Sequence, residues 1–288
     1  MTERQGLILV AGATGNQGPP AVRHLLANGW PVRALTRDPE SAAGRQLLSQ
    51  GAEVVGGDFD DRSSLDRAIA GAYGVFAVFS SLRGGPEQEQ VHGIAVAEAA
   101  QAAGVRHLVY SSVGGAERDS GIPHFESKWQ IEQGIRALGL PATILRLAFF
   151  MDNLVTPGFV GFGMWSAMAG AIGKAGAMQM IATDDIGAFA ALSFSKPKQF
   201  IGQALEIAGD EVTLEQAVRT CREVRGKRPW FVPLPDWLLG RMDRDLATMN
   251  RWLREHGYAA DIPALRTLHP DLKNLEAGLR VAEPLRLS

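Results

Sequence analysis

The sequence predicts an α/β fold in which a doubly wound parallel sheet is followed by a smaller, mainly helical C-terminal region. Short apolar segments alternate with helix-like segments from residue 7 to residue 147. Strands that alternate with helices favour right-handed crossovers and therefore a parallel sheet. A glycine-rich turn follows the first apolar segment directly, and the alternation ends near Met151. The first 150 or so residues are therefore predicted to form the sheet.

The first strand is predicted at residues 7–11, because a continuous apolar run suits a parallel strand that is buried on both faces. Gly12, Gly15 and Gly18 follow at the spacing G-x-x-G-x-x-G. The first helix is predicted to begin near Pro19, since the first-turn N–H groups of a helix have no partner within it and proline is tolerated there.

The turn between this strand and this helix is typical of a dinucleotide-binding Rossmann fold. A diphosphate needs close approach of the backbone and N–H groups that point from a helix N-terminus, and glycine permits both. The alternative interpretation is a strand–helix turn without a ligand. The glycine spacing resembles that of extended and atypical short-chain dehydrogenases/reductases. The predicted cofactor contacts in the turn are Gly12, Thr14, Gly15, Asn16, Gln17 and Gly18.

Five further strands are predicted after the turn, with amphipathic helices between them. Gly29, Gly104 and Gly139 follow helical segments, as expected for left-handed C-caps. In such a sheet the ligand lies at the carboxyl ends of the strands, so the residues that follow each strand are the candidates for the site. The predicted strands are 31–36, 51–56, 75–79, 106–111 and 142–147.

The domain organisation follows from the break near Met151. We expect a dinucleotide-binding domain at 1–152, to which 184–208 returns, and a smaller region formed by 153–183 and 209–288. Residues 157–177 are rich in glycine and lack a clean period, so loops and a helix over the cofactor crevice are expected. The other predicted elements are a helix at 188–194 capped by 183–185, a strand at 204–208, a helix at 213–223 and one long helix at 237–255.

Composition excludes several classes of partner and site. Of the 288 residues, 46% are hydrophobic and 21% charged, which predicts a globular core. The net charge is −2 and no basic cluster is evident, so neither nucleic acid nor a membrane is an expected partner. Cys221 is the single cysteine, which argues against an intramolecular disulfide and a cysteine-rich metal site. With neither a signal peptide nor a membrane-spanning apolar segment, a cytoplasmic protein is expected.

The residue after strand two bears on the choice of cofactor. An NAD enzyme would place a carboxylate there to hold the ribose hydroxyls, whereas this chain has Arg37. A guanidinium suits a 2′-phosphate, so NADP(H) is predicted over NAD(H). Asp38 follows immediately and weakens this interpretation, and an exposed surface arginine is the alternative.

Strands three and four end in further candidates. Asp58 is placed to accept from an adenine amino group, with Phe59 beside the ring. Asp60 or Asp61 is expected to cap the next helix instead, because aspartate is a favoured N-cap. Ser80 and Ser81 follow strand four and are predicted to line the nicotinamide ribose and the diphosphate.

His124 and Lys128 come after strand five, where short-chain reductases carry Y-x-x-x-K. The spacing i, i+4 places both side chains on one helix face. Lys128 matches the lysine that binds the nicotinamide ribose in those enzymes, whereas His124 replaces their proton-transferring tyrosine. Imidazole transfers protons near neutral pH, but Lys128 would disfavour its charged form. His124 is therefore a candidate for proton transfer, for contact with cofactor or substrate, or for a plain first-turn position.

Taken in order, these motifs resemble the NmrA-like family of atypical short-chain dehydrogenases/reductases, and the resemblance covers nearly the whole chain. One departure lies at 276–279, where the family commonly has a tryptophan. The matching segments are 12–18 (GATGNQG), 36–39 (TRDP), 51–55 with 57–58, His124-Phe125 with Lys128, 149–154 (FFMDNL), 184–187 (DDIG) and 252–272.

The resemblance implies NADP(H) binding but leaves the function open. The family includes NADPH-dependent reductases of quinones or other conjugated aromatic compounds. It also includes non-catalytic redox sensors that act through protein partners. Histidine stands at position 124, where short-chain reductases have tyrosine, and this replacement argues against ordinary alcohol dehydrogenation. It argues less strongly against quinone reduction, because solvent can complete the protonation there. We favour a reductase with a small aromatic or quinone-like substrate, and the sensor with a regulatory protein partner is the alternative.

Apolar residues just past strand six suit a flat aromatic ligand, because aromatic and methionine side chains line planar pockets. Core packing and a protein interface are the alternatives. Asn153 is the nearest polar residue and is a candidate to orient a substrate carbonyl or the carboxamide, and Phe149 is a candidate cofactor contact. The apolar residues are Phe149, Phe150, Phe159, Phe162, Met164, Trp165 and Met168.

Overall fold

The structure, a computed structural model, describes residues 6–82, 84–173, 176–233 and 236–284. Its strands are β1 Leu7–Ala11, β2 Val32–Thr36, β3 Glu53–Gly56, β4 Ala72–Ala77, β5 His107–Val113, β6 Ala142–Leu147, β7 Phe149–Phe150, β8 Ala177–Ile181, β9 Ala204–Ile207 and β10 Asp210–Thr213. Its α-helices are α1 Gly18–Ala27, α2 Ala42–Ser49, α3 Arg62–Ile69, α4 Gly85–Ala102, α5 Pro123–Ala137, α6 Gly158–Ile172, α7 Thr183–Ser195, α8 Pro197–Phe200, α9 Leu214–Arg225, α10 Asp236–Met242, α11 Arg244–Glu255, α12 Ile262–Leu268 and α13 Leu275–Val281. A 3₁₀ helix covers Met151–Val155.

Seven strands form a parallel sheet in the order β3-β2-β1-β4-β5-β6-β9. The prediction of an α/β fold with a doubly wound parallel sheet is confirmed. The strand order reverses beside β1, where Leu9 is paired with Arg33 on one side and Val75 on the other. Such a reversal opens a crevice at the carboxyl ends of the strands, so β1 and β4 define the centre of the candidate site.

Helices cover both faces of this sheet and pack closely on it. A Cβ at Gly187 of α7 would lie 2.6 Å from the carbonyl carbon of Pro20, so α7 and α1 touch backbone to backbone. On the other face, a Cβ at Gly93 of α4 would lie 2.5 Å from the Ile131 side chain of α5. These contacts join α1 to α7 and α5 to α4. The starts of α1 and α5 carry candidate site residues.

A second, three-stranded sheet belongs to the smaller region, with β8 between β7 and β10. β8 runs antiparallel to β10 and parallel to β7. Its core contains large side chains such as Trp165, Met168 and Trp252, all buried. The sequence predicted a mainly helical smaller region, and this sheet was not predicted. The proposed boundaries of the two regions stay a prediction.

The predicted strands of the large sheet are present, with shifted ends. β3 begins at Glu53 rather than at 51, because Gly51 has a φ of +100° and closes the turn after α2. β4 ends at Ala77 rather than at 79, and β5 continues to Val113. Gly29, Gly104 and Gly139 all have positive φ, as predicted for residues that end helices.

Three predictions about the second half differ in detail from the structure. Residues 183–185 do not precede their helix as caps but form the first turn of α7. Within 157–177, where loops and a helix were expected, the described residues form the helix α6, Gly158–Ile172, and Ala177 begins β8. The long helix at 237–255 is two helices, because the carboxylate of Asp243 caps α11 by accepting from the Leu246 N–H at 2.9 Å.

None of the helices in the described ranges is both long and apolar enough to cross a bilayer. Within the same ranges, no cluster of three or more histidine, cysteine, aspartate or glutamate side chains is arranged to hold a metal ion. The cytoplasmic location stays a prediction.

Candidate functional site

The glycine turn joins β1 to α1 at the centre of the sheet, and packing explains two of its three glycines. Gly12 has a φ of +88°, and a Cβ there would lie 2.6 Å from the Val78 carbonyl oxygen. A Cβ at Gly18 would lie 2.3 Å from the carbonyl oxygen of Ala13. Both contacts are too short for any side chain, so the protein itself requires these two glycines.

The middle glycine is different, because nothing in the described part of the protein crowds it. Gly15 is exposed, and the nearest atom to a Cβ placed there is the Gly12 carbonyl oxygen at 3.5 Å. Its own N–H closes the turn by donating to that same oxygen at 3.1 Å. The space above Gly15 and the start of α1 is therefore an open cradle that a side chain would fill, which suits a diphosphate at a helix N-terminus.

Gln17 connects the glycine turn to β5. It lies at the N-cap of α1, and its Oε1 accepts from the Ser111 hydroxyl at 2.6 Å. Thr14 and Asn16 are half-buried beside it. Ser111 was recognised in the sequence only as the end of a strand, and its contact with Gln17 was missed because the two residues lie far apart in the chain. This bond fixes the turn relative to the strand that leads to His124 and Lys128.

Arg37 and Asp38 follow β2 on the same edge of the sheet. Arg37 is exposed, and its side chain makes no hydrogen bond or ion pair with any described residue. Asp38 is also exposed, but its Oδ1 accepts from the Glu40 N–H at 3.0 Å in a local turn. The guanidinium is therefore available to a ligand while the neighbouring carboxylate is engaged.

Asp58 and Phe59 follow β3, and both are half-buried. Asp58 Oδ1 accepts from the Asp60 N–H at 3.1 Å, and the Phe59 ring meets the edge of Phe79 at 5.2 Å between centroids. Of the two proposed helix caps, Asp61 is the one used, since its carboxylate accepts from the Ser63 N–H. Phe59 thus presents an aromatic surface between the ends of β3 and β4.

Ser80 and Ser81 follow β4, where Ser80 is exposed and Ser81 half-buried. The Ser80 hydroxyl accepts from the Leu82 N–H at 3.3 Å, which shapes the loop after the strand. Phe149 and Asn153 follow β6; Phe149 pairs with Met180 in the second sheet, and Asn153 lies half-buried in the 3₁₀ helix. Ser80 and Ser81, like Arg37 and Asp58, thus lie at the carboxyl edge of the large sheet. Phe149 is positioned by the second sheet and Asn153 by the 3₁₀ helix.

Lys128 lies on α5 and turns toward the end of β4. Its Nζ donates to Glu89 Oε1 at 2.7 Å and approaches the Phe79 carbonyl oxygen at 3.4 Å. The Glu89 side chain is fully buried, and its second oxygen accepts from the Ser127 hydroxyl at 2.7 Å. Glu89 was not predicted from the sequence, because polar residues surround it at the start of α4 and its place on the buried face, shared with Gly93, depends on the packing of the helix.

His124 lies one turn before Lys128 and is half-buried. Its ring meets the edge of Phe125 at 4.9 Å between centroids. Burial, reinforced by the charge of Lys128, lowers the pKa of His124, while the carboxylates of Glu89 and Asp245 oppose this effect. The imidazole is therefore neutral at neutral pH, which makes it a hydrogen-bonding group and a weak source of protons.

The apolar residues past strand six divide into two groups. Trp165 and Met168 are buried, with the Trp165 Nε1 donating to the Leu154 carbonyl, so core packing explains them. Phe159 is 86% exposed and stacks toward Phe162, which in turn lies 4.9 Å from Trp230 between ring centroids. The seven residues therefore do not line one shared pocket.

Comparison with known proteins identifies the family of the chain. The model of the NmrA-like family matches residues 4–277. One relative is the NmrA-like family domain-containing oxidoreductase FrzB of a Cladobotryum species, 32% identical over 260 residues, which are 80% of this chain and 77% of the relative. Another is the (4-alkanoyl-5-oxo-2,5-dihydrofuran-3-yl)methyl phosphate reductase of Streptomyces griseus, 39% identical over 167 residues, which cover 57% of this chain and 56% of the relative.

Among solved structures, the NADPH-dependent quinone oxidoreductase QOR2 of Escherichia coli, determined with NADPH, is 25% identical in sequence and superposes with a TM-score of 0.74. The superposition covers 93% of this chain and 97% of that protein. The family match spans both the large sheet and most of the smaller region, in agreement with the motifs at the glycine turn and at Lys128. The chain belongs to the NmrA-like family.

Proposed function

We propose that this protein is an NADPH-dependent reductase that transfers hydride to a conjugated carbonyl acceptor such as a quinone or an enone. The observation that carries the proposal is the open cradle above Gly15, the one glycine of the turn that the protein's own packing does not require. NADPH would supply the hydride when bound there.

The residues of the site divide the cofactor between them. In this assignment, the glycine turn from Gly12 to Gly18 holds the diphosphate, with Gln17 fixed by Ser111. Arg37 contacts the 2′-phosphate, because its guanidinium has no partner in the described structure and Asp38 is engaged with Glu40. The other assigned contacts are Asp58 and Phe59 at the adenine, Ser80 and Ser81 at the diphosphate and ribose, Lys128 at the nicotinamide ribose, and Phe149 with Asn153 near the carboxamide.

The character of His124 favours a conjugated acceptor. A simple ketone needs a proton donor at its oxygen as the hydride arrives, and a buried neutral imidazole is a poor acid. A quinone or an enone spreads the incoming charge over several atoms, and water can then complete the protonation. The names of two similar proteins, the dihydrofuran reductase of S. griseus and the quinone oxidoreductase of E. coli, indicate acceptors of this kind.

Cofactor binding is tested with two glycine variants. Gly15→Ala adds a methyl group that meets no crowding protein atom, so we expect a normal unfolding temperature and a loss of NADPH affinity of about tenfold or more. Gly18→Ala should instead destabilise the fold, because its methyl group collides with Ala13. Calorimetric titration and thermal unfolding distinguish the two effects, and unchanged NADPH affinity in Gly15→Ala contradicts the assigned diphosphate site.

Turnover is tested by following NADPH oxidation with a panel of quinones, enones and dyes. We expect at least one conjugated acceptor to be reduced and simple ketones to be inert. The second candidate function, a redox sensor, is favoured by the exposed aromatic side chains of Phe159 and Trp230. If no acceptor is reduced and NADPH changes protease sensitivity or oligomeric state, the sensor replaces the enzyme.

A further inference from the structure

We infer that Glu89 is a positioning residue: its buried carboxylate holds the Lys128 ammonium at the carboxyl end of β4. The inference rests on the proposed function, in which Lys128 holds the nicotinamide ribose. It adds a residue from α4, an element to which the sequence analysis assigned no part of the site.

Both oxygens of the Glu89 carboxylate accept hydrogen bonds from residues of α5. Glu89 lies in the second turn of α4, and its side chain has no solvent exposure. One carboxylate oxygen accepts from Lys128 Nζ at 2.7 Å and the other from the Ser127 hydroxyl at 2.7 Å. Ser127 and Lys128 are neighbours in the chain, so the carboxylate is tied to two consecutive residues of α5.

Lys128 retains capacity for a ligand in this arrangement. An ammonium has three donors. One is directed at Glu89 and a second at the Phe79 carbonyl oxygen, 3.4 Å away. The side chain is 15% exposed, so it is not sealed inside the protein. A third N–H thus remains for a ribose hydroxyl at the end of β4.

Apolar surroundings make the carboxylate necessary. The rings of Phe79, Phe125 and Tyr110 are all buried around the end of β4 and the start of α5. Desolvation favours the neutral form of a lysine, and an adjacent carboxylate offsets this by favouring the charged form. Removal of one member of a buried ion pair leaves the other without compensation.

None of the neighbouring titratable groups is placed to replace Glu89. His124 on the same helix is a neutral or repelling neighbour, and Asp245 on α11 interacts with His124. The Tyr110 hydroxyl of β5 is buried, and burial together with Glu89 and Glu132 raises its pKa, so it stays protonated. Glu132 is itself bound to Arg146 and to the Ser112 hydroxyl. Among the described residues, Glu89 is therefore the carboxylate that holds Lys128.

The test measures Lys128 itself in the cofactor-free protein. Trace labelling with acetic anhydride at one fixed pH, quantified at Lys128 by mass spectrometry, reports how firmly the amine is held by its partners. In Glu89→Gln we expect the labelling of Lys128 to rise by about fivefold or more relative to the wild type, because the amine loses its ion-pair partner. Glu87→Gln, which removes an exposed carboxylate from the same helix, should leave the labelling of Lys128 unchanged.

A second measurement compares NADPH affinity among the variants. Glu89→Gln should bind NADPH about tenfold or more weakly than the wild type, and Glu89→Asp, which retains a carboxylate, should restore most of the affinity. If Glu89→Gln does not fold, the labelling of Glu89→Asp decides: a carboxylate that is one methylene shorter reaches Lys128 less well and should raise the labelling by a smaller factor, and labelling equal to that of the wild type overturns the inference.

The two levels of the proposal fail separately. A wild-type protein that binds no NADPH overturns the proposed function, whatever the labelling shows. If Lys128 is labelled to the same extent in the wild type and in Glu89→Gln, the role of Glu89 is overturned, even if NADPH binds tightly.

Discussion

The two sheets of this protein differ in how their strands are joined. In the large sheet, β1 to β6 follow one another with a single helix between neighbours, and each strand is a short segment rich in apolar residues. In the small sheet, β7, β8 and β10 come from residues near 150, 180 and 210, and β7 has only two residues. Local sequence patterns therefore indicate the first sheet well, whereas the second depends on contacts between distant segments.

The regions also differ in what they bury. Charged and polar side chains are buried in the large sheet and beneath its helices. Among them are His107 in β5, Arg146 in β6 and Glu132 in α5, and each of them bonds to a partner on another element. The core of the smaller region consists mainly of tryptophan, methionine and leucine side chains, and aromatic residues continue onto its surface at Phe159 and Trp230. We therefore expect charge changes to affect the sheet domain most.

The largest effect of a charge change is expected at the buried ion pair between α5 and β6. The Glu132 carboxylate has no exposure and binds Arg146 Nη2 at 2.8 Å and the Ser112 hydroxyl at 2.7 Å. Glu132→Ala removes the fully buried partner and leaves Arg146 with the partly exposed Glu117, whose Oε1 lies 2.8 Å from Arg146 Nη1, so we predict a loss of about 3 kcal/mol in the free energy of unfolding. Asp66→Ala, which breaks the exposed pair with Arg62, should cost at most about 0.5 kcal/mol. Equal losses in urea unfolding contradict the comparison.

A smaller, pH-dependent effect is expected at His107 in β5. Its side chain is fully buried beside the Thr143 hydroxyl, and burial lowers the pKa to about 4. The unfolded chain takes up a proton near its ordinary pKa of about 6.5. As the pH falls below that value, the unfolded state is favoured and stability declines until the folded His107 also binds a proton near pH 4.

The contribution of His107 is isolated by urea unfolding at pH 7 and near pH 4.5. We predict that His107→Gln reduces the decline between the two conditions by about 2–3 kcal/mol relative to the wild type. His256→Gln, at an exposed position, should leave the decline unchanged. A decline as steep in His107→Gln as in the wild type would show that other groups are responsible.

The same contrast explains what sequence reasoning achieved at the site. The glycine turn, Arg37 and Asp58 were predicted because each follows a strand directly, and position after a parallel strand determines position at the site. Glu89 was missed because Gln88, Gln90 and His92 surround it, so the buried face of α4 is visible only once α5 is packed against it. Asp243 looked like one more polar residue of a long amphipathic helix, and its role as a cap depends on the turn between α10 and α11.

Cofactor choice gives the next prediction, at Arg37, whose side chain forms no hydrogen bond or ion pair with the described residues. Arg37→Ala should weaken NADPH binding by about 1–3 kcal/mol and leave NADH binding nearly unchanged, because only NADPH carries the 2′-phosphate. Arg45→Ala is the matched control, since Arg45 is an exposed arginine on the following helix that bonds to the Glu40 carbonyl. Equal affinities of the wild type for NADPH and NADH, measured by calorimetry, would refute the assignment.

The smallest effect on stability is expected on the aromatic surface of the smaller region. Trp230 is 76% exposed and Phe159 is 86% exposed, so replacing either by serine removes little buried area and should change the free energy of unfolding by less than about 0.5 kcal/mol. Trp165→Ala, by contrast, empties a buried site that stacks on Phe231 and should cost about 3–5 kcal/mol.

These surface variants also separate the two candidate functions, because retained stability makes any functional change interpretable. If the protein is a reductase, Trp230→Ser and Phe159→Ser should alter KM for large aromatic acceptors more than the affinity for NADPH, since most of the assigned cofactor contacts follow strands of the large sheet. If it acts through a partner, the variants should abolish the NADPH-dependent change in assembly while NADPH binding persists. Loss of NADPH affinity in either variant would mean that the exposed aromatic surface itself contributes to cofactor binding, and the separation of this surface from the cofactor site would then be wrong.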